Sequence, residues 1–378
     1  MSDKPFQTSS AGPVPAAPVR LSPLPSSALA AVFHAPQQAL ELRQVPLPKN
    51  LSVGEALVEI SCCTLCGSDL STLAGHRQEP TPCILGHEIL GRIVALGAGE
   101  LVDLRGRPLR VGDRVIWSVA ASCSQCRNCN RGLPQKCSQL KKYGHSQLTE
   151  AWQLSGGLAQ YCHLVAGTQT VIVGEMLADR ILTPASCATA TVAAAVRKAG
   201  NLKDTHVLVF GAGLLGLTAC AMAKQAGAQS ITICDLSSER IALAQKFGAS
   251  RGLLWQEWDQ PREPAYDVIL EMSGNAAAIQ AALQVAAIGA TIVLVGSVRP
   301  TPAIELYPEQ FVRRLLSMHG VHNYSPADLL TAVDFLENWG LAFPFGEVVT
   351  EPYPLSDINA LLSSDAQRHA VRIAVAPR

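Results

Sequence analysis

Little of this sequence is charged. Asp, Glu, Lys and Arg make up 16% of its 378 residues, and thirty basic residues are balanced by thirty acidic ones. No net field therefore draws the chain to nucleic acid, and no long basic run exists that could grip a phosphate backbone. Also missing is any uninterrupted stretch of about 18 apolar residues of the kind that spans a bilayer. The opening residues, MSDKPFQTSSAGPVPAAPVRLSPLPSS, are rich in Pro, Ser and Ala and lack the continuous apolar core of a signal peptide, so residues 1–27 are expected to form a disordered tail. Together these shortfalls predict a cytoplasmic protein that acts on a small molecule, with neither nucleic acid nor membrane as partner. No repeat recurs at a solenoid period. The length must then be explained by domains, and at ~100 to 200 residues per domain two cores are expected. A hydrophobic content of 48% can fill both and leave apolar surface for a subunit interface.

Cysteine, by contrast, is plentiful: there are twelve. Their clustering in a long chain without an export signal points to metal ligation rather than disulfides.

The chain changes rhythm near its middle. From Ala28 to about Thr183, short runs such as ALVEI, GRIVAL, DRVIW and QTVIV are punctuated by Gly, Pro and Asp, which predicts a mainly β domain. From Asp204, the apolar runs THVLVFGAG, QSITICD, YDVILEMSG and GATIVLVGS alternate with Ala-rich helical stretches. That alternation predicts a parallel sheet covered on both faces, a doubly wound Rossmann domain. After Val321, ADLLTAVDFLENW reads as a helix and HAVRIAVAP as a strand through which the chain returns to the first domain. The expected division is a catalytic domain over 28–187 and 322–378 and a nucleotide domain over 188–321.

Gly211, Gly213 and Gly216 follow an apolar strand and open a helix in VLVFGAGLLGLTACAMAKQAG, as a dinucleotide fingerprint requires. The first glycine allows the tight turn, the second lets a pyrophosphate approach the backbone, and the third lets helix and strand pack closely. Leu214 and Leu215, within the motif, bring their amides to the positive end of the helix dipole. Asp235 ends the next strand, where a carboxylate accepts hydrogen bonds from ribose hydroxyls and repels a 2′-phosphate. NAD is thus expected over NADP, although Arg240, shortly downstream, keeps NADP open.

Cys123, Cys126, Cys129 and Cys137 form the run CSQCRNCNRGLPQKC, close enough together for four thiolates to converge on one tetrahedral, closed and therefore structural zinc. An iron–sulfur cluster is the rival occupant.

Three further motifs occur in order around this lobe: Cys66 in CGSD, His87 in GHE and Cys187 in SCATAT, shortly before the fingerprint. Singly, each has a plain structural explanation as a turn, a buried histidine or a small packed thiol. Jointly, with the four-cysteine run and the glycines, they resemble the zinc-dependent alcohol dehydrogenases of the medium-chain dehydrogenase/reductase superfamily over nearly the whole chain after the tail. The resemblance implies that the β domain is GroES-like and that Cys66, His87 and Cys187 hold a catalytic zinc. The third ligand is a glutamate in many relatives, but no acid occurs in ILTPASCATATVAAAV. The resemblance further implies that Ser68 hydrogen-bonds the substrate oxygen, that Asp69 and Glu88 orient the ligands, and that Arg372 lies near the cofactor pyrophosphate. Ser71 stands where many relatives place a histidine that passes the proton to solvent, and His76 is near in sequence only. The remaining six cysteines, Cys62, Cys63, Cys83, Cys162, Cys220 and Cys234, are expected to be small packed side chains.

The implied activity is reversible oxidation of a primary or secondary alcohol with NAD, using one catalytic and one structural zinc per chain, in a homodimer or homotetramer. A zinc-free reductase would leave the ligand set unexplained. A non-catalytic redox sensor or scaffold that binds zinc and nucleotide is the alternative from another class. The segment KKYGHSQLTEAWQLSGG resembles a subgroup of alcohol dehydrogenases associated with phosphonate catabolism. For such a substrate Lys141, Lys142 and His145 are the candidate partners, with a polyol or a simple alcohol equally compatible.

Overall fold

The computed structural model describes residues 24–258, 265–364 and 370–377. The expected tail lies outside these except at its end, where Ser27 already opens the strand Ser27–Phe33.

The doubly wound half is a six-stranded parallel sheet. Its strands run in the order Arg251–Leu254, Ser230–Asp235, His206–Phe210, Tyr266–Glu271, Ala286–Leu294 and Ser317–Gly320. Its central strands are apolar through their middles, with Val207, Leu208, Val209, Ile269 and Leu270 all buried, because helices cover both faces. The chain order reverses beside His206–Phe210, and ligands of such sheets bind at the carboxyl ends of the strands at this point. The glycine turn occupies it. At Gly216 a Cβ would stand 1.8 Å from the Gly211 carbonyl oxygen, so only glycine lets the helix Leu214–Gln225 start this close to its strand.

The β half is built on the long strand Ala56–Leu65, which pairs antiparallel with Glu88–Leu96, Tyr161–Leu164 and Ile373–Ala376. The last pairing matches Ile373 to Leu65, so the final strand docks one residue before Cys66 and carries Arg372 with it. A three-stranded sheet of Glu41–Pro46, Ser27–Phe33 and Cys83–Ile84 leads up to His87.

The halves are not packed as separate globules. One continuous apolar cluster runs from Cys62, Leu90 and Ile116 of the β sheet, through the Ala-rich helix Ala188–Ala199, to Val207 and Val209 of the parallel sheet. The predicted helix near the end is Pro326–Trp339. It is tied to Ala188–Ala199 by Arg197, whose Nε and Nη2 donate to Asp328 at 2.7 and 2.9 Å. No helix among the described residues is long and apolar enough to cross a membrane.

Substituting Gly216→Ala forces the turn and the helix apart. The expected cost is on the order of 1–3 kcal/mol, the usual price of overpacking, read as a lowered melting temperature. An unchanged melting temperature would contradict the packing described for this turn.

Candidate active site

Three separate chain segments deliver Cys66, His87 and Cys187 to one point. Cys66 ends the strand Ala56–Leu65 and caps the short helix Gly67–Leu73. His87 precedes the strand Glu88–Leu96. Cys187 joins the turn Thr183–Ser186 to the helix Ala188–Ala199. The two sulfurs and a ring nitrogen lie within 4.8 Å of one another.

Asp69 fixes two of the three. Its buried carboxylate accepts from the Cys66 amide at 2.8 Å, from the Gly86 amide at 3.2 Å and from His87 Nδ1 at 3.2 Å. With its proton on Nδ1, His87 presents Nε2 as the free donor atom. Ser186 secures the third ligand's segment: its hydroxyl donates to the His87 carbonyl at 3.4 Å and accepts from the Ile89 amide at 3.2 Å. Tyr324, from the returning segment, donates to the Ser186 carbonyl and accepts from the Val119 amide at 2.8 Å.

The two sulfurs are pushed in opposite directions. A hydrogen bond from Cys187, helped by Arg372, holds the Cys66 thiol well below its ordinary range against burial, while the same bond and burial push Cys187 well above. Burial alone would lower the His87 imidazole, but the Asp69 carboxylate outweighs it and raises the group to about 10. A donor set in which one thiol ionises only at the other's expense suits a divalent cation, whose charge lets both thiolates form.

Glu88 is fully buried. Its Oε2 accepts from Thr64 at 2.6 Å and from Arg372 Nε at 3.2 Å, and Arg372 Nη2 lies 3.5 Å from Cys66 Sγ. The polar partners of Arg372 are thus Glu88 and Cys66, and its side chain lines the cleft that the glycine turn also borders. Ser68 Oγ lies 3.5 Å from His87 Nε2.

Cys123, Cys126, Cys129 and Cys137 also converge, with all four sulfurs within 4.8 Å of one another. Two of the separations are 3.5 and 3.9 Å, against about 3.8 Å between sulfurs that each stand ~2.3 Å from one tetrahedral zinc. This spacing suits a single ion rather than a multi-iron cluster. Backbone amides are aimed at sulfur: Cys137 Sγ accepts from Cys123 and Gln139 amides, each at 3.3 Å, and amides of Cys129 and Ser138 hold Cys126 down to about 5, while desolvation and the neighbouring thiols push Cys129 up to about 11. The other six cysteines are buried and free, as expected.

A cleft of about 340 Å³ joins the three ligands to the glycine turn Gly213–Gly216, with Ser68, Ser71, Lys142, His145 and Arg372 also on its walls. Gly144, at φ +74°, makes the approach possible: a Cβ there would meet the Gly86 carbonyl oxygen at 2.6 Å, so the segment carrying Lys142 and His145 lies directly on Gly86 and His87. Lys141 points elsewhere, over the Trp152 ring at 5.9 Å, and His76 is exposed outside the cleft. Asp235 accepts from the amides of Ala212 at 2.6 Å and Ser237 at 2.9 Å, which pins the glycine turn. Arg240 Nη1 faces Gly213, 4.0 Å from where a Cβ would stand. Sequence reasoning missed Thr64, Ser186 and Tyr324, together with Arg77, Glu79 and His322 around the cleft. Only Ser186, which precedes Cys187 in SCATAT, lies in a motif, and only the folded chain brings the others to the ligands.

A parallel-sheet nucleotide fold joined to a β domain, with an open three-ligand site between them and a closed four-cysteine site beside it, defines a zinc-binding dehydrogenase. The alcohol dehydrogenase GroES-like domain model matches residues 52–173, and the zinc-binding dehydrogenase model matches residues 215–338. The chain is 30% identical over 274 residues to the uncharacterized zinc-type alcohol dehydrogenase-like protein YphC of Escherichia coli, covering 68% of this chain and 74% of that protein. It is 27% identical to D-altritol 5-dehydrogenase of Agrobacterium fabrum, over 84% of this chain and 90% of that one. The crystal structure of an alcohol dehydrogenase from Thermotoga maritima superposes with a TM-score of 0.86 at 26% identity, covering 93% of this chain and all of that one. The chain belongs to the zinc-dependent alcohol dehydrogenase family of the medium-chain dehydrogenase/reductase superfamily, and is an oxidoreductase.

Replacing Cys126 by serine opens the closed site. Metal analysis of the purified variant should show one zinc lost of two per chain, with a lower melting temperature because the lobe has lost its cross-link. Full metal content in the variant would contradict the four-sulfur site.

Proposed function

We propose that this chain reversibly oxidises an alcohol to a carbonyl with NAD, using a catalytic zinc held by Cys66, His87 and Cys187 and a structural zinc held by Cys123, Cys126, Cys129 and Cys137. The observation that carries the reading is the single cleft in which the open three-ligand site meets the glycine turn. Zinc at the open site supplies Lewis acidity toward the substrate oxygen, and NAD supplies the hydride acceptor. The protein's own part is to orient and to move the proton. Ser68 relays the alcohol proton, its Oγ accepting that proton as its own hydroxyl proton passes on. Ser71 is no base at neutral pH, so the proton leaves through water in the cleft. Asp69 keeps His87 in the tautomer that presents Nε2, and the Glu88–Arg372 pair sets the charge beneath Cys66.

The amides of Leu214, Leu215 and Gly216 take the pyrophosphate at the helix N-terminus, with Gly211 and Gly213 allowing the approach. Each Asp235 oxygen already accepts one amide and retains a lone pair for a ribose hydroxyl. That carboxylate favours NAD, and Arg240 over Gly213 tempers the preference. In this reading 28–187 and 322–378 form the catalytic domain and 188–321 the nucleotide domain.

The outer edge of Ser317–Gly320 ends the parallel sheet beside the exposed Val312 and Leu315. An open sheet edge with exposed apolar side chains next to it in the chain supports joining to a second copy as a homodimer, or a homotetramer built from it. Twelve free thiols suit a reducing, cytoplasmic setting.

Ser68→Ala should lower kcat by about 10²- to 10⁴-fold, the usual worth of positioned proton transfer, and Cys66→Ser should abolish turnover. Both variants should keep their affinity for NADH, measured by its fluorescence, because the glycine turn is remote from the substitution. Full turnover in either variant would refute the assignment.

A further inference from the structure

The closed four-cysteine site and the open three-ligand site are joined by packed side chains. The turn Pro134–Lys136 runs directly into Cys137, whose amide donates to the Pro134 carbonyl at 3.0 Å. From the other side Asn128, between Cys126 and Cys129, donates through Nδ2 to the Lys136 carbonyl at 2.5 Å, and its own carbonyl accepts from the Leu133 amide at 2.9 Å. The turn is therefore tied to both halves of the cysteine run. Whatever draws the four sulfurs together also sets its position.

The same turn rests on segment 322–326, between the strand Ser317–Gly320 and the body of the helix Pro326–Trp339. Lys136 Nζ donates to His322 Nδ1. Pro134 and Gln135 face Tyr324 and Pro326 across a cavity of about 20 Å³ that Ser118 and Val119 also line, room for about one water. Gln135 Oε1 is buried with no hydrogen-bond partner among the described residues, so this side of the turn is packed and not solvated. Between His322 and Tyr324 the backbone passes through Asn323 at φ +56°, a left-handed conformation that persists where the surroundings hold it.

Tyr324 carries the contact into the cleft. It is buried, and its hydroxyl donates to the Ser186 carbonyl and accepts from the Val119 amide at 2.8 Å. Ser186 immediately precedes Cys187, and Cys187 and Val119 both line the cleft. One hydroxyl thus fixes the approach of the third ligand and a residue of the cleft wall, and the turn from the four-cysteine lobe is packed beside it.

We infer that the four-cysteine lobe positions the third ligand of the open site: Gln135 and Lys136 hold segment 322–324, and Tyr324 in turn holds Ser186 and with it Cys187. Gln135, Lys136 and Tyr324 are positioning residues, and the closed site has a task beyond keeping its own lobe folded. The inference rests on the metal-site reading above.

The test uses the full chain with zinc kept in the four-cysteine site, one per chain by metal analysis, and the open site emptied by dialysis against a chelator. Cobalt(II) is then titrated into the open site and followed by its thiolate-to-cobalt absorption. Gln135→Ala combined with Lys136→Met should weaken cobalt binding by about 10-fold, and Tyr324→Phe by about 10- to 100-fold, the usual worth of residues that orient metal ligands. Lys136→Arg, which can still donate to His322, should bind as the parent chain does. The losses from the lobe pair and from Tyr324→Phe should not add, because both act along one path. If the pair fails to fold, Lys136→Met alone replaces it, since that side chain is exposed, with the same outcomes. Unchanged cobalt affinity in a lobe variant that keeps its zinc, or losses that add in full, overturns the inference and leaves the dehydrogenase reading standing. If the open site of the parent chain takes up no cobalt, the metal-site reading itself fails and the inference falls with it.

Discussion

The site depends on one buried carboxylate. Asp69 accepts the amide of Cys66, the amide of Gly86 and the imidazole proton of His87, and so joins the end of one strand to the start of another. An ionised group with no access to water is tolerated only when such partners replace its solvation. Here the compensation is also the geometry: each hydrogen bond that keeps Asp69 charged fixes the position or tautomer of a metal ligand. Burial would raise the Asp69 pKa, and the charge and hydrogen bond of His87 bring it below the ordinary value instead. The third ligand needs separate fastening, and Ser186 and Tyr324 provide it from two other segments. Removal of any one of these ties would leave a donor atom free to drift from the common point.

The two halves of the molecule meet at this point for a packing reason. The Ala-rich helix that starts at Cys187 belongs to the apolar cluster shared by both sheets, so the residue that completes the ligand set is also the first residue of the weld between them. The returning strand Ile373–Ala376 makes a similar link from the other side, setting Arg372 against Glu88 and Cys66. The cleft between glycine turn and ligands is therefore a consequence of how the domains share a core.

Much of this was legible in the sequence because the chemistry is local there. The glycine turn, the four-cysteine run and the alternation of strand and helix are set by neighbours within a few residues, and each was found where its spacing put it. The return of the last strand was legible too, since its pattern did not need a place in the parallel sheet. What could not be read was long-range. The contacts of Arg372 with Glu88 and Cys66 are set by the register of a strand pairing formed across most of the chain. Thr64 and Tyr324 have no motif, and Ser186 carries no signal of its own within SCATAT, because a side chain that fastens a ligand through the backbone needs only a hydroxyl in the right place. Lys141 and Lys142 are adjacent in sequence and opposite in direction, one over Trp152 and the other in the cleft, as the pleat of a strand dictates.

The claim that a thiolate, an imidazole and a second thiolate share one ion is most directly tested by X-ray absorption at the zinc edge, on the full chain with both sites filled. The account predicts an average of about three sulfurs per zinc, with nitrogen or oxygen completing the shell, from one four-sulfur ion and one bound by two sulfurs, one imidazole and an exchangeable oxygen. A spectrum fitted by four sulfurs per zinc and no lighter donor would contradict it.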